Sequence, residues 1–143
     1  DPGCAFALSQ LYDEVGVRLP PVQTTLSLLA GEGERISGGP WAPHEACFSA
    51  RWLREPGLRE RLTEPGQLVQ GSVLEGEAGC CGGMLLPLYD ASLADAVARA
   101  RAKDVLGGGA GRILSASPTC SRRLRAVGAP VDDVLAAWFR SRG

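Results

Sequence analysis

Five cysteines and one histidine, Cys4, Cys47, Cys80, Cys81, Cys120 and His44, carry most of the chemistry this 143-residue chain has to offer. The segment Gly79-Cys80-Cys81-Gly82-Gly83 stands out. Two adjacent thiols point to opposite faces of a strand and diverge by about 100° on a helix. Aiming both at one centre therefore needs an irregular turn, which flanking glycines permit and which also lets backbone come close to a bound group. Cys47 and Cys120 each stand where a helix is expected to open. A thiol at a helix N-terminus is acidified by the dipole and the free N–H groups, and so supplies thiolate readily. An odd number of cysteines excludes complete internal pairing. With no secretory leader at the start of the chain, the thiols point to metal binding, redox chemistry or catalysis ahead of structural disulfides. A single histidine leaves hydrolase triads and histidine-rich metal sites almost without material.

The elements that must position these groups alternate between short apolar runs and helical stretches. Helical spacing runs from Cys4 to Val15, with Phe6, Leu8, Leu11 and Tyr12 on one face and Gly16 as a stop. A second helix follows Pro20-Pro21, turning Val22, Leu26, Leu29 and Ala30 inward and closing at Gly31, and residues 31–39 read as a loop. Pro40-Trp41-Ala42-Pro43 carries a proline at each end, which excludes a central strand and predicts an extended connector into His44-Glu45-Ala46-Cys47. Helical material resumes at Phe48 and again over 57–62. Strands are expected at Gln67–Leu74 and Arg112–Ala116. The best helix spans Ser92–Leu106, with Ser92 and Asp95 as an approximate capping box and Gly107-Gly108-Gly109 as the end. A final helix covers Val131–Arg140, with Val134, Leu135 and Trp138 on one side. Strands separated by helices predict an α/β fold with a small, mostly parallel sheet flanked by helices and cysteine loops at the C-terminal ends of the strands. Asp1-Pro2-Gly3-Cys4 echoes Ser117-Pro118-Thr119-Cys120, and Val15-Gly16 followed by Pro21-Val22 echoes Val127-Gly128 followed by Pro130-Val131. Such an echo fits a duplicated ancestral unit.

Composition limits the function classes. Hydrophobic residues are 45% and charged residues 22%, as in ordinary globular proteins. Fifteen basic against sixteen acidic residues leave a net charge of -1, which argues against nucleic acid as a partner. Arg122, Arg123, Arg125, Arg140 and Arg142 form the nearest thing to a basic patch, diluted by Asp132 and Asp133 and best read as a solvated helix face. No apolar run reaches the ~18 residues of a transmembrane helix. A cytoplasmic location is the expectation, with any membrane association peripheral and made through partners. The chain opens on Asp1 instead of Met, as a fragment or a processed product would.

The arrangement His44-Glu45-Ala46-Cys47, then Cys80-Cys81-Gly82-Gly83, then Ser117-Pro118-Thr119-Cys120 resembles the cysteine-rich CCG domain. That domain occurs in the catalytic subunit of heterodisulfide reductases and in iron–sulfur subunits of glycolate, lactate and anaerobic glycerol-3-phosphate oxidising enzymes. Its pattern is a cysteine, a gap of thirty-odd residues, Cys-Cys-Gly, a second such gap and Cys-x-x-Cys. The resemblance divides the chain into residues 1–39, the end of a preceding module with linker helices, and residues 40–143, one CCG-type module. It implies a redox module of a larger oxidoreductase. A four-iron (4Fe-4S) cluster would sit on Cys47, Cys80, Cys81 and Cys120, with Gly82 and Gly83 as its backbone wall. A flavoprotein or a ferredoxin-like subunit or domain would exchange the electrons. Five family cysteines can hold a non-cubane four-iron cluster, but only four match here, which suits an ordinary cubane cluster or zinc better. Ser117 and Asp1 replace the first cysteine of the closing motif and of its earlier copy. They read as helix N-caps followed by proline, with direct iron ligation by their oxygens as the other reading.

Other readings stand beside this one. The same cysteines hold zinc or nothing in a structural or subunit-interaction module. Alternatively, Cys80 and Cys81 form a vicinal disulfide or act as a metal-free thiol–disulfide pair. Cys4 is expected to be a small buried hydrophobe. His44 is expected to orient Cys47 through a hydrogen bond instead of binding metal, and Trp41, Trp52 and Trp138 to pack in the core or at an interface. No strand-linked Gly-x-Gly-x-x-Gly is present, so hydride transfer from a bound dinucleotide is not expected on this chain.

Overall fold

Ile113-Leu114-Ser115 is buried along its whole length and forms the central strand (β2) of a three-stranded parallel sheet. Strand β1 (Ala42–His44) lies on one side and β3 (Val131–Asp133) on the other, with Ala42 opposite Ile113 and Ile113 opposite Val131. These elements come from a computed structural model, which describes residues 1–18, 20, 22–33, 35–54, 62–69 and 79–143.

Side chains alternate across β2, and each face acquires its own core. Leu114 joins Leu26, Leu29, Ile36, Trp41, Leu62, Val134 and Ala137. Ile113 joins Ala42, Ala102, Val105, Leu124, Val131 and two of the cysteines, Cys81 and Cys120. Helices α2 (Thr25–Gly31) and α6 (Val134–Arg140) cover the first face, and α4 (Ala91–Leu106) and α5 (Pro118–Ala126) the second. The α/β layering expected from the sequence is thus the observed fold.

Local chemistry sets the element ends. Helix α1 (Pro2–Glu14) starts with Asp1 accepting from the Gly3 N–H and Pro2 in the first turn. In α2 a reciprocal box joins Thr24 and Ser27. This start lies beyond Val22, which stays exposed and does not turn inward. In α4 the cap is Asp90, which accepts from Leu93 N–H, and Ser92 only donates to that carboxylate. The expected Ser92 box is therefore displaced by a better acceptor two residues earlier. The short helix α3 (Leu86–Tyr89) precedes it.

Two further sequence expectations change. The Pro40–Pro43 connector is the edge strand β1, continued outward by an isolated parallel bridge between Trp41 and Leu68. Ala42 donates its N–H to Arg112 on the β2 side, so strand alternation places the donorless Pro43 nitrogen on the opposite side, where β2 loses nothing. The final helix begins at Val134 instead of Val131: residues 131–133 pair with β2, and Asp133 caps the helix through Leu135 N–H. Of the expected strand at Gln67–Leu74, only the bridge at Leu68 falls within the described residues. Residues 70–78 lie outside them, as does all but Leu62 of the helix expected over 57–62.

Candidate metal–thiolate site

At the C-terminal edge of the sheet, where α/β folds place their sites, four chain segments meet. Cys47 follows β1 and leads into a six-residue π-helix, Phe48–Leu53. π-Helical turns are rare and recur at functional sites. Cys120 lies in the first turn of α5, just after β2, where Ser117 Oγ accepts its N–H. Cys80 and Cys81 come from the glycine-flanked turn ahead of α3. Together Cys47, Cys80, Cys81 and Cys120 line one cavity of about 70 Å³, closed by Pro2, Gly3, Phe48 and Met84. Such a volume is several times what one water requires.

The glycines of this turn have separate tasks. Gly82 has φ +71, and a Cβ there would sit 2.7 Å from the Ala94 carbonyl oxygen, so the turn lies directly on α4. Gly83 lines the cavity, and a Cβ on it would stand 3.2 Å from Cys81 Sγ and 3.2 Å from Thr119 Cγ2. Of the two glycines expected to form the wall, Gly83 faces the cavity. Gly82 instead packs against α4 and donates its N–H to Cys80 Sγ at 3.3 Å.

The thiols act as two pairs. A hydrogen bond from Cys47 is the main cause lowering Cys80, to about 6, helped by the Gly82 N–H and the charge of Arg51. The same bond, with burial, pushes Cys47 up. A hydrogen bond from Cys120 is the main cause lowering Cys81, to about 4, helped by the nearby His44 ring and the Gly83 N–H, and the bond with burial raises Cys120. At neutral pH each pair therefore holds one proton and one negative charge, with Cys80 and Cys81 as thiolates. The N-termini of α1 and α5 both open onto the cavity through Pro2, Gly3, Ser117 and Thr119, and their dipoles favour that charge.

Asp1 and Ser117 are N-caps in the structure, and they also meet each other. Ser117 Oγ donates to Asp1 Oδ2 at 2.9 Å, and Thr119 N–H donates to the same oxygen at 3.2 Å. This contact ties α1 to α5 beside the cavity, which both residues line. The same x-Pro-x-Cys motif sends Cys120 inward but leaves Cys4 exposed and outside the cavity lining, so Cys4 is not the buried hydrophobe expected. None of the five cysteines forms a disulfide, Cys80 and Cys81 included.

His44 is fully buried, with a ligand atom within 4.8 Å of the Cys81 and Cys120 sulfurs, whereas the expected hydrogen-bond partner was Cys47. Its Nδ1 accepts a hydrogen bond from Arg101 Nε at 3.3 Å. Sequence reading missed Arg101, lost among the charges of α4. The signal was its spacing: Ala94, Ala98, Arg101 and Val105 fall on one helical stripe, and all are buried. Trp41 belongs to the core, whereas Trp52 is exposed and packs at a tilt against Phe6 of α1.

Among the described residues no helix is long and apolar enough to cross a membrane. Comparison with family models, curated proteins and solved structures gives no match for this chain.

Proposed function

We propose that the chain is an iron–sulfur redox module of a larger oxidoreductase, holding a four-iron cluster on Cys47, Cys80, Cys81 and Cys120. The observation that carries this reading is the convergence of four thiols, from three separate segments, on one cavity at the C-terminal edge of a parallel sheet. The donor set fits such a group: four sulfurs, two helix N-termini, and glycine backbone where side chains would intrude. The motif resemblance to the CCG domain points the same way. When bound, a four-iron cluster accepts and releases single electrons.

The chain's own residues would set the conditions for that chemistry. Cys80 and Cys81 enter binding as thiolates, while Cys47 and Cys120 give up the protons they hold for their pairs. Phe48 and Met84 add apolar surface to the cavity lining, which disfavours water there. The resemblance supplies the partner class, a flavoprotein or a ferredoxin-like subunit or domain. A cytoplasmic location, with any membrane association made through partners, is part of the proposal.

Zinc is the second reading, favoured by the closeness of His44, Cys81 and Cys120. A tetrahedral zinc with bonds near 2.3 Å wants its sulfurs about 3.8 Å apart. Among the described residues the group close enough to share one ion is His44, Cys81 and Cys120, which leaves out Cys47 and Cys80. Iron and labile sulfide analysis of anaerobically prepared protein separates the two. Four irons and a brown colour support the cluster, and one zinc in a colourless protein sinks it. Cys81→Ser should lose most of the metal and Cys4→Ser almost none; equal loss would mean the cysteines are wrongly divided.

A further inference from the structure

Three buried side-chain atoms among the described residues lack a hydrogen-bond partner: His44 Nε2, Ser49 Oγ and Arg123 Nε. The first belongs to the ring that stands among the site's sulfurs, and its isolation has a chemical cause. Arginine carries donors only, so the bond from Arg101 Nε at 3.3 Å requires Nδ1 to accept. In the neutral ring the proton then sits on Nε2. A protonated nitrogen cannot bind metal. Ligating histidines show the reverse polarity, with the second nitrogen donating outward to a carboxylate or carbonyl. The remaining nitrogen is thus a donor in need of an acceptor, and the Cys81 and Cys120 sulfurs, within 4.8 Å of a ligand atom of this ring, are acceptors as thiolates or metal-bound sulfurs.

Arg101 is itself held for this task. Its Nη1 donates to Asp104 at 2.6 Å, and its side chain is buried. The cysteine turn lies against it: a Cβ on Gly79 would meet Arg101 Nη1 at 3.3 Å. The guanidinium therefore touches both the imidazole and the loop that delivers Cys80 and Cys81.

We propose that Arg101 and His44 are positioning residues that present the His44 Nε2–H to the Cys81 sulfur, so that the histidine tunes this ligand without binding metal. A hydrogen bond to sulfur withdraws electron density, stabilises the more reduced cluster and raises its potential. That consequence rests on the four-iron reading; the donor geometry does not.

His44 is the only histidine in the chain, so its ring can be followed without assignment ambiguity. Long-range proton–nitrogen correlation on the full chain labelled with nitrogen-15 histidine should show the proton on Nε2, both metal-free and after iron and sulfide reconstitution. Arg101→Leu should lose that preference. A wild-type ring protonated on Nδ1, or a metal-shifted Nε2, overturns the proposal. Spectroelectrochemical titration supplies the second readout: His44→Leu should move the reduction potential to more negative values, and His44→Gln, which keeps an N–H donor, should recover most of the shift. Equal potentials in all three proteins overturn it too. Should the wild type take up no iron, the four-iron reading fails, and the metal-free protein still decides the relay. Displacement of the Nε2 resonance in Cys81→Ala supports it, and an unmoved resonance overturns it.

Discussion

Gly82→Ala tests whether the cysteine turn depends on backbone that only glycine allows. Two penalties add at this position. The left-handed conformation at φ +71 costs an L-residue about 1–2 kcal/mol, less about 0.5 kcal/mol regained because alanine has fewer unfolded conformations to lose. A Cβ 2.7 Å from the Ala94 carbonyl oxygen forces the turn off α4, and overpacking of this kind costs about 1–3 kcal/mol more. Gly128 is the control, with φ +85 and no atom within 4 Å of the place a methyl group would take, so Gly128→Ala should show the conformational penalty alone. For a domain of this size each kcal/mol moves the melting temperature by about 3 °C. Gly128→Ala should therefore melt about 2–5 °C below wild type, and Gly82→Ala about 5–13 °C below. Thermal unfolding by circular dichroism on the metal-free chain measures both, with urea midpoints as the check. If Gly82→Ala costs no more than Gly128→Ala, the turn does not lie on α4 as described, and the argument that glycine seats the cysteine pair fails. Metal content gives a further contrast, since only Gly82→Ala should reduce it.

Three other outcomes follow from particular contacts. Absorbance of the metal-free chain at 240 nm should report the Cys80 and Cys81 thiolates at pH 7; Cys80, at about 6, should protonate on acidification before Cys81, at about 4, and Cys80→Ser should remove the first step while an absent band at pH 7 refutes the paired-proton picture. Ser117→Ala removes both the α5 cap and the contact to Asp1 and should cost about 1–2 kcal/mol in urea unfolding, with Ser117→Asn recovering the capping share. Burial alone would raise Asp132, but hydrogen bonds from Arg112 and Trp41 and the charges of Arg112 and Arg140 hold it below the usual carboxylate range. Its folded value is thus lower than its unfolded one. The advantage of wild type over Asp132→Asn should be full above the ordinary aspartate pKa near 3.8 and vanish as pH falls through the depressed folded value; an advantage unchanged at low pH refutes that account.

The parts legible in the sequence were those governed by local rules. Capping by Asp1 and Ser117, the glycine-flanked turn and the strand at Ile113-Leu114 depend on neighbours a few residues away, and each is present. The edge strand and β3 were hidden because their pairing is long-range. Pro40 and Pro43 look like breakers until β2 lies on the side that needs no proline N–H. Val131-Asp132-Asp133 looks like a helix start until Arg112, Trp41 and Arg140 gather round Asp132. Cysteine spacing pointed to a shared site because thiols have few other reasons to flank glycines in this way. Arg101 escaped notice for the opposite reason: on a helix reading Ala-Arg-Ala-Arg-Ala-Lys every charge looks solvated. The two arginines of that run have different fates. Arg99 is exposed and pairs with Asp95, whereas Arg101 is buried against His44 and Asp104. Two residues of helical rotation separate a surface ion pair from the group that fixes the imidazole beside the cysteines. A buried arginine on an alanine stripe is costly unless its donors are used. That cost is met at Arg101 by His44 and Asp104, so the burial of this arginine and the placement of the imidazole are one arrangement.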